Sequence, residues 1–412
     1  MKDLKTIRGM PDLYDEDIER IALVENICLE VFKSFNYKEF RTPVIENKSL
    51  FQRSAGETSD IVQKEVYEFE DRNGEMLCLR PEGTAGLVRA LITNGLISEE
   101  IKKLFYIGPM FRYERPQKGR KRQFFQAGVE LVGEGSSKSD VEVLLIAKTI
   151  LEKLGVEYCL EINYLGGVKS LDAYRAYLRE FLQANKACFD EKLYTRLQRN
   201  PVRAIDSKDE KIKEVIKNAK DITNFLNEEE KLAFGETIEA LDMLQVEYTI
   251  NTKLVRGMDY YTGTVFEFTV DSLGAQNAVI GGGRYDNLIE ELGGKKLPAI
   301  GFALGIDRLS EIIPIKNNNN GIFIGCAEVK SIKYAQYISN KLRLNNGDLV
   351  IESYLGNANV SKQLKKANSL GFKFVIIIGQ EEQNTKIFKV KNLKEEKELS
   401  LNEKELMEFF NG

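Results

Sequence analysis

Any chemistry in this chain has to be done without histidine, because its 412 residues contain none. That removes Ser-His-Asp triads, Cys-His pairs, imidazole general bases and histidine-ligated metals. The five cysteines, Cys28, Cys78, Cys159, Cys188 and Cys326, stand far apart with no C-x-x-C among them. Zinc-ligand spacing and a disulfide framework are therefore unsupported, and most of these thiols read as small buried hydrophobes. No G-x-x-x-x-G-K-[ST] loop occurs either, so a nucleotide site must be of another kind. Carboxylates, arginines, lysines, tyrosines, backbone amides, or a cation held by carboxylates and substrate remain.

Such groups are clustered. Between Gln123 and Val132 the period-two rule puts Gln126, Gly128 and Glu130 on one face and Phe125, Ala127, Val129 and Leu131 on the other. Two polar side chains around a glycine make a shallow floor on which a ligand can approach the sheet, although a solvated sheet face has the same pattern. Arg112 and Glu114 share a face of the neighbouring strand. From Arg112 to Arg122 six basic residues stand against one acidic, and clustered guanidinium groups suit phosphate. A charge run is more often a solvated loop, but strand pairing on both sides fixes the roots of this one.

Other segments are weaker signals alone. Arg80-Pro-Glu-Gly-Thr84 sets a carboxylate and a hydroxyl at a helix start, where Glu82 and Thr84 could hold an amine. Read in isolation, it is a plain helix cap with Thr84 capping and Glu82 solvated. Leu254-Val-Arg-Gly-Met-Asp-Tyr-Tyr261 concentrates Arg256, Asp259, Tyr260 and Tyr261 before a strand, while Gly281-Gly-Gly-Arg-Tyr-Asp286 lets backbone approach a ligand. Ala299 to Arg308 is a small-residue strand turning into a helix with one arginine.

The elements that would position these groups are legible from periodicity. A helix is predicted from about Asp17 to Phe35, with Ile18, Ile21, Val24, Cys28, Val31 and Phe35 on one stripe. Val66–Phe69 and Met76–Leu79 form a hairpin whose Asn73-Gly74 step supplies positive φ angles. A helix follows Thr84, and strands run from Leu104 to Glu114 and from Gln123 to Val132. Ser139-Asp-Val-Glu142 has the form of a capping box opening a helix that ends near Gly155. The texture from 171 to 246 is helical, and strands return at Tyr248 to Leu254 and Thr264 to Val270. After the polar run Asn317 to Gly321 the pattern becomes β-α-β-α-β, finished by a strand at Ile387 to Val390 and a helix from Glu403.

At this length two or three domains are expected. We divide the chain into 1–316, an α+β domain on an antiparallel sheet with a helical insertion at about 171–246; a linker, 317–321; and 322–412, a small α/β domain. A hydrophobic fraction of 43% and a charged fraction of 30% exclude disordered and fibrous classes. No run approaches the ~18 to 20 apolar residues of a membrane span, and the first twenty residues are too charged for a secretory signal. We read the chain as cytoplasmic, with no membrane partner. Its 59 basic and 63 acidic residues leave a net charge of -4, so a nucleic-acid site would have to be a local patch.

The order of these pieces resembles class II aminoacyl-tRNA synthetases, and specifically the histidyl-tRNA synthetase family, over essentially the whole chain. A first motif lies at Phe40-Arg-Thr-Pro43. A second lies at Phe111-Arg-Tyr-Glu114, with its basic loop and Phe124 to Glu130, and a third runs from Gly301 to Arg308. Leu254 to Tyr261 and Gly281 to Asp286 match signatures particular to that family.

The resemblance implies two-step ligation of L-histidine to the 3' end of tRNA(His), using ATP with Mg²⁺, by a homodimer whose last domain reads the anticodon. It implies that Arg112, Glu114 and Arg308 bind ATP, with Arg112 at the α-phosphate and Arg308 at the γ-phosphate. Arg256 would be the family's additional catalytic arginine, acting with Arg112 where charge builds on the α-phosphate. Glu82, Thr84 and Gln126 would take the amino end of histidine. Glu130 and Tyr261 would face its imidazole, with Tyr260 and Tyr285 in the same pocket. Arg115 and Gln117 would reach the tRNA acceptor end. Where the family often has histidine, this chain has Phe125, which alternation puts on the core face. The rival implied function is a catalytically silent, synthetase-like regulatory subunit of histidine biosynthesis, which typically lacks the last domain and catalytic arginines.

Overall fold

A computed structural model describes residues 4–55, 64–98, 100–115, 119–207, 209–314, 321–356 and 359–411. They form two compact units, Met1–Pro314 and Ile315–Gly412.

The larger unit is organised by an eight-stranded sheet. Across it lie Lys38–Glu39, Lys102–Phe111, Gln123–Val132, Ala299–Gly305, Ala278–Arg284, Thr262–Thr269, Cys159–Tyr164 and Thr249–Ile250. The six inner strands are antiparallel, and only the two short outer strands pair in parallel. Alternation decides what each face does. Ala127, Val129 and Leu131, Ile300 and Leu304, and Phe266 and Phe268 fall on one face and are buried with helices Asp15–Ser34, Ser137–Leu154 and Glu228–Met243. On the other face helix Thr84–Thr93 sets Leu87, Val88 and Leu91 against Leu104, Tyr106 and Met110. Beyond that helix the face is left open, and this is where the polar residues of the same strands emerge.

Between the strands Cys159–Tyr164 and Thr249–Ile250 the chain is helical, as predicted. Val168–Ala184, Glu191–Arg199 and Glu210–Ile216 bury Leu171, Leu178, Leu197, Ile212 and Ile216 in a core of their own. The last helix there, Glu228–Met243, contributes Leu241 to the sheet's core. The strand expected from Tyr248 to Leu254 is only Thr249–Ile250, because the chain then turns, with the Leu254 N–H donating to the Asn251 carbonyl.

Two local readings are corrected. In the Glu68–Glu70 and Met76–Leu79 hairpin only Gly74 has a positive φ, +85°; Asn73 does not, since Asp71 caps the loop by accepting from the N–H groups of Asn73 and Glu75. The helix assigned to a capping box at Ser139 starts at Ser137, and Glu142 instead accepts from Tyr37 and Lys103. Gly155 does end that helix, left-handed at φ +67°.

The smaller unit is a five-stranded sheet in the order Ile351–Ser353, Ile322–Cys326, Phe374–Ile378, Ile387–Asn392, Lys397–Asn402. The first three strands are parallel and the last two antiparallel. The unbroken apolar run Phe374–Ile378 follows from burial on both faces. Ile376 and Ile378 meet helix Ile332–Asn345, while Val375 packs with Phe323 and Ala367. The exposed edge strand Lys397–Asn402 escaped the sequence reading. Of the expected linker, Asn317 to Asn320 lie outside the described residues. No helix among the described residues is long and apolar enough to cross a membrane.

Candidate active site

The open face of the large sheet carries a cleft of about 1220 Å³ including its mouth. Its floor follows from glycines on the strands. Strand Ala299–Gly305 turns Ile300, Phe302 and Leu304 to the core and Gly301, Ala303 and Gly305 to the cleft. A Cβ on Gly301 would lie 1.9 Å from the Glu130 carboxylate, and one on Gly281 would lie 1.8 Å from the Arg256 guanidinium. These two glycines are the spaces in which Glu130 and Arg256 rest. Glycine at Gly281 thus makes room for a side chain, a role distinct from the backbone–ligand approach expected of that run.

One end of the cleft is acidic and buried. Glu82, 6% exposed, accepts from the N–H groups of Thr84 at 2.7 Å and Ala85 at 2.9 Å. It is therefore Glu82 that caps the helix, which overturns the reading of Thr84 as cap and Glu82 as solvated. The Thr84 hydroxyl is thereby free to donate to Glu130 at 2.7 Å. Tyr285 donates to the other Glu130 oxygen at 2.5 Å. Burial pushes the Glu130 carboxyl up to about 8, against the pull of those two hydroxyls, and burial raises Glu82 as well. Tyr260 packs on Tyr261 and Tyr285, with ring centroids 4.7 and 5.8 Å apart, and burial keeps all three phenols protonated. The side-chain oxygen of Gln126 is buried without a hydrogen-bond partner, a group left for a ligand to satisfy.

The other end is cationic. Arg112 donates to the Pro81 carbonyl at 2.9 Å and lies over the Phe124 ring at 5.3 Å. Arg308 donates to the carbonyls of Gly119 at 3.1 Å and Ala278 at 2.6 Å. Burial, then the proximity of Arg120 and Arg112, pulls the Arg308 pKa down, which a bound polyanion would relieve. Glu114 pairs with Arg120 at 2.7 Å. Between the two ends Arg256 pairs with Glu267 at 2.9 Å. Burial works against its charge, yet Glu267 and the two tyrosines beside it leave its pKa raised.

The predicted catalytic, ATP and histidine residues, Arg112, Glu114, Arg256, Arg308, Glu82, Thr84, Gln126, Glu130, Tyr260, Tyr261 and Tyr285, all line this one cleft. Arg115 is exposed and not among the lining residues, and Gln117 lies outside the described residues. Phe125 packs against the sheet's core, as alternation predicts, but also borders the cleft, its N–H held by Asp307 at 2.5 Å.

Sequence reasoning passed over several residues. Glu267 is a lone carboxylate in the apolar strand Thr262–Thr269, directly opposite Gly281, and that isolation was its signal. Asp307 pins the second motif by accepting from Phe125 and, at 2.8 Å, from Lys121. Tyr106 fills the space against Gly83 and Gly128, where a Cβ on either would come within 2.4 Å of its ring.

Against known proteins, a histidyl-tRNA synthetase family model matches residues 9–309 and an anticodon-binding-domain model residues 311–412. The histidine–tRNA ligase of Prochlorococcus marinus (strain MIT 9301) is 45% identical over 387 residues, covering 93% of this chain and 90% of that protein. That of Francisella philomiragia is 43% identical over 407 residues, covering 97% and 96%. The apo crystal structure of S. aureus histidyl-tRNA synthetase superposes over all of both chains with a TM-score of 0.81 at 33% identity. With a cleft that sets buried carboxylates at one end and arginines at the other, and with these matches end to end, the chain belongs to the histidyl-tRNA synthetase family.

Proposed function

We propose that this chain ligates L-histidine to the 3' end of tRNA(His) in two ATP-dependent steps. The observation that carries the reading is the polarity of one cleft, with Glu82 and Glu130 buried towards one end, Arg120 and Arg308 towards the other, and Arg112 and Arg256 between them, Arg112 close enough to Pro81 to act on Glu82. Histidine joined to a nucleotide phosphate has the complementary order, an ammonium and an imidazole at one end and phosphates at the other.

In the first step the histidine carboxylate oxygen attacks the α-phosphorus of ATP, forming the acyl–phosphate bond as the bond to pyrophosphate breaks. Arg112 and Arg256 would face the charge that builds on the α-phosphate, and Arg308 with Arg120 the departing pyrophosphate. Arg256 is held from behind by Glu267, so its charge is in place before the reaction. Glu82, Thr84 and Gln126 would orient the amino group, and Glu130 with Tyr261, flanked by Tyr260 and Tyr285, the ring. A site with buried polar groups rejects isosteres that leave them unpaired. In the second step the terminal ribose hydroxyl attacks the carbonyl carbon and AMP leaves. An oxygen of the adenylate phosphate takes the hydroxyl proton, and Arg115 and Gln117 would meet the acceptor end.

Magnesium would enter as the ATP complex, with phosphate oxygens as its main ligands. The described residues include no group of three or more histidine, cysteine, aspartate or glutamate side chains placed to hold a metal by themselves. Two further assignments belong to the same reading. The chain would act in the cytoplasm, where charged tRNA is consumed. It would act as a homodimer, a state supported by the exposed apolar Ile45, Phe69 and Met76 on the three-stranded sheet that Ile45–Asn47, Met76–Leu79 and Glu68–Glu70 form next to the first motif; light scattering tests it.

The experiment for the activity is ATP–pyrophosphate exchange with each amino acid offered singly and no tRNA present. Exchange with L-histidine alone is expected. Exchange with none, from folded protein, would overturn the reading in favour of a silent regulatory subunit.

A further inference from the structure

The loop that carries Arg256 is held from outside the cleft. Leu254 is buried in the core of the helical insertion, beside Leu171, Leu178 and Leu197, and Val255 and Tyr261 pack against that core. On the insertion side a short 3₁₀ turn, Pro201–Ala204, ends the helix Glu191–Arg199. Arg203 in this turn donates to the carbonyl of Gly257, the residue next to Arg256. It also lies 3.6 Å from the Asp259 carboxylate, which accepts from the Asn200 side chain at 3.1 Å. Arg203 is 30% exposed and does not line the cleft. Its contacts with the loop bracket Arg256 on its C-terminal side, while on the N-terminal side buried Asn163 donates to the Leu254 carbonyl at 2.9 Å.

We propose that Arg203 is a positioning residue for adenylate formation, locking the 254–261 loop to the insertion and so fixing where the Arg256 guanidinium sits. The inference rests on the reading of Arg256 as the arginine that stabilises the α-phosphate. A guanidinium aimed at developing charge must be in place within a fraction of an ångström, and a misplacement of about 1 Å lowers rates on the order of 100-fold. Glu267 and the space over Gly281 fix the tip of Arg256; Arg203 fixes its backbone. Substrate contacts are made by other residues, so loosening this tie acts on the transition state more than on the ground state. The insertion is then mechanically connected to catalysis, and whatever shifts Pro201–Ala204 shifts Arg256.

Steady-state pyrophosphate exchange by the full chain tests this, with Arg203→Ala, Arg256→Ala and the double variant. Arg203→Ala is expected to lower kcat at least tenfold, with the KM values for histidine and ATP within about threefold. In the Arg256→Ala background the same change is expected to cost nothing further, because Arg203 acts through Arg256. An unchanged kcat for Arg203→Ala, or a full additive loss in the double variant, would overturn the proposal. If Arg203→Ala does not fold, Arg203→Met keeps the aliphatic stem while removing both guanidinium contacts with the loop, to the Gly257 carbonyl and the Asp259 carboxylate, and the same two results decide. Undiminished exchange by Arg256→Ala would remove the underlying reading, and that outcome is visible without any Arg203 variant.

Discussion

A single proton, the one on Glu130, gives the sharpest test among individual residues. Burial between Thr84 and Tyr285 raises its carboxyl from the ordinary 4.5 to about 8. The folded chain therefore keeps a proton that the unfolded chain has released. Stability is expected to fall as pH rises from about 4.5 to about 8, by up to ~1.4 kcal/mol per pH unit, and to lose this dependence below that window. Glu82, raised by burial too, acts in the same sense. Urea unfolding of Glu130→Gln should show a slope shallower by one proton; an unaltered slope would mean that Glu130 is ionised throughout. If Glu130 faces the histidine ring, as proposed, ligand binding involves the same proton. A free imidazole titrates near about 6.5, so between about pH 6.5 and 8 protonated Glu130 and neutral imidazole bring one proton to a complex that holds one. Histidine affinity should be flat there and weaken on either side, with the alkaline limb missing in Glu130→Gln. Because the chain has no histidine, nitrogen spectra of ring-labelled ligand report this proton without protein background. Alternation alone placed Glu130 beside Gln126. It could not place Glu82, which the fold sets close to Tyr106 of the strand Lys102–Phe111.

Secondary-structure elements carry the next tests. Strand Ala278–Arg284 supports the site with Gly281 at its middle and Arg284 at its end. Gly281→Ala would put a methyl where the Arg256 guanidinium lies. Histidine-dependent exchange is expected to fall on the order of 100-fold with little change in melting temperature; activity within twofold of the parent would mean that Arg256 has another resting place. Arg284 is 4% exposed and pairs with buried Asp140 at 2.7 Å, donating also to Ser139 at 2.6 Å and the Ser136 carbonyl at 2.8 Å. The pair ties the strand to the start of helix Ser137–Leu154. Asp140→Ala should lower unfolding free energy by about 3–5 kcal/mol, because the buried guanidinium is left with only the longer ionic contact to Asp286 at 3.4 Å, and adding Arg284→Met should recover much of it. Urea denaturation measures both. Strand existence was legible at this scale, but capping was not. Ser-x-x-Glu at Ser139 satisfied the motif, yet Glu142 was drawn off by Tyr37 and Lys103 from distant elements.

For the molecule as a whole, the two units share no core: the larger buries one cluster on each face of the large sheet and another in the insertion, and the smaller one on each face of its five-stranded sheet. Compact units that share no core are expected to unfold as separate cooperative units. Calorimetry is expected to resolve two transitions, and histidine with ATP to raise only that of the larger unit, since a ligand stabilises only the unit whose native state binds it. One transition that moves intact with ligand would contradict this.

The sequence by itself determined the class of chemistry and its parts: no imidazole, a basic loop rooted in paired strands, an alternating Gln126-Gly128-Glu130 face, an antiparallel-rich catalytic region and a small α/β tail. These are local properties, set by residue type and by periods of two and 3.6. Only the tertiary structure decided which of these groups share one cleft, because the strands that meet there are separated by up to about 180 residues in the chain. It likewise decided that Gly281 and Gly301 are spaces for Arg256 and Glu130, that Glu267 stands behind Arg256, and that the insertion grips the Arg256 loop. Each of these is a steric or electrostatic fit between distant segments, and no local pattern encodes a distance.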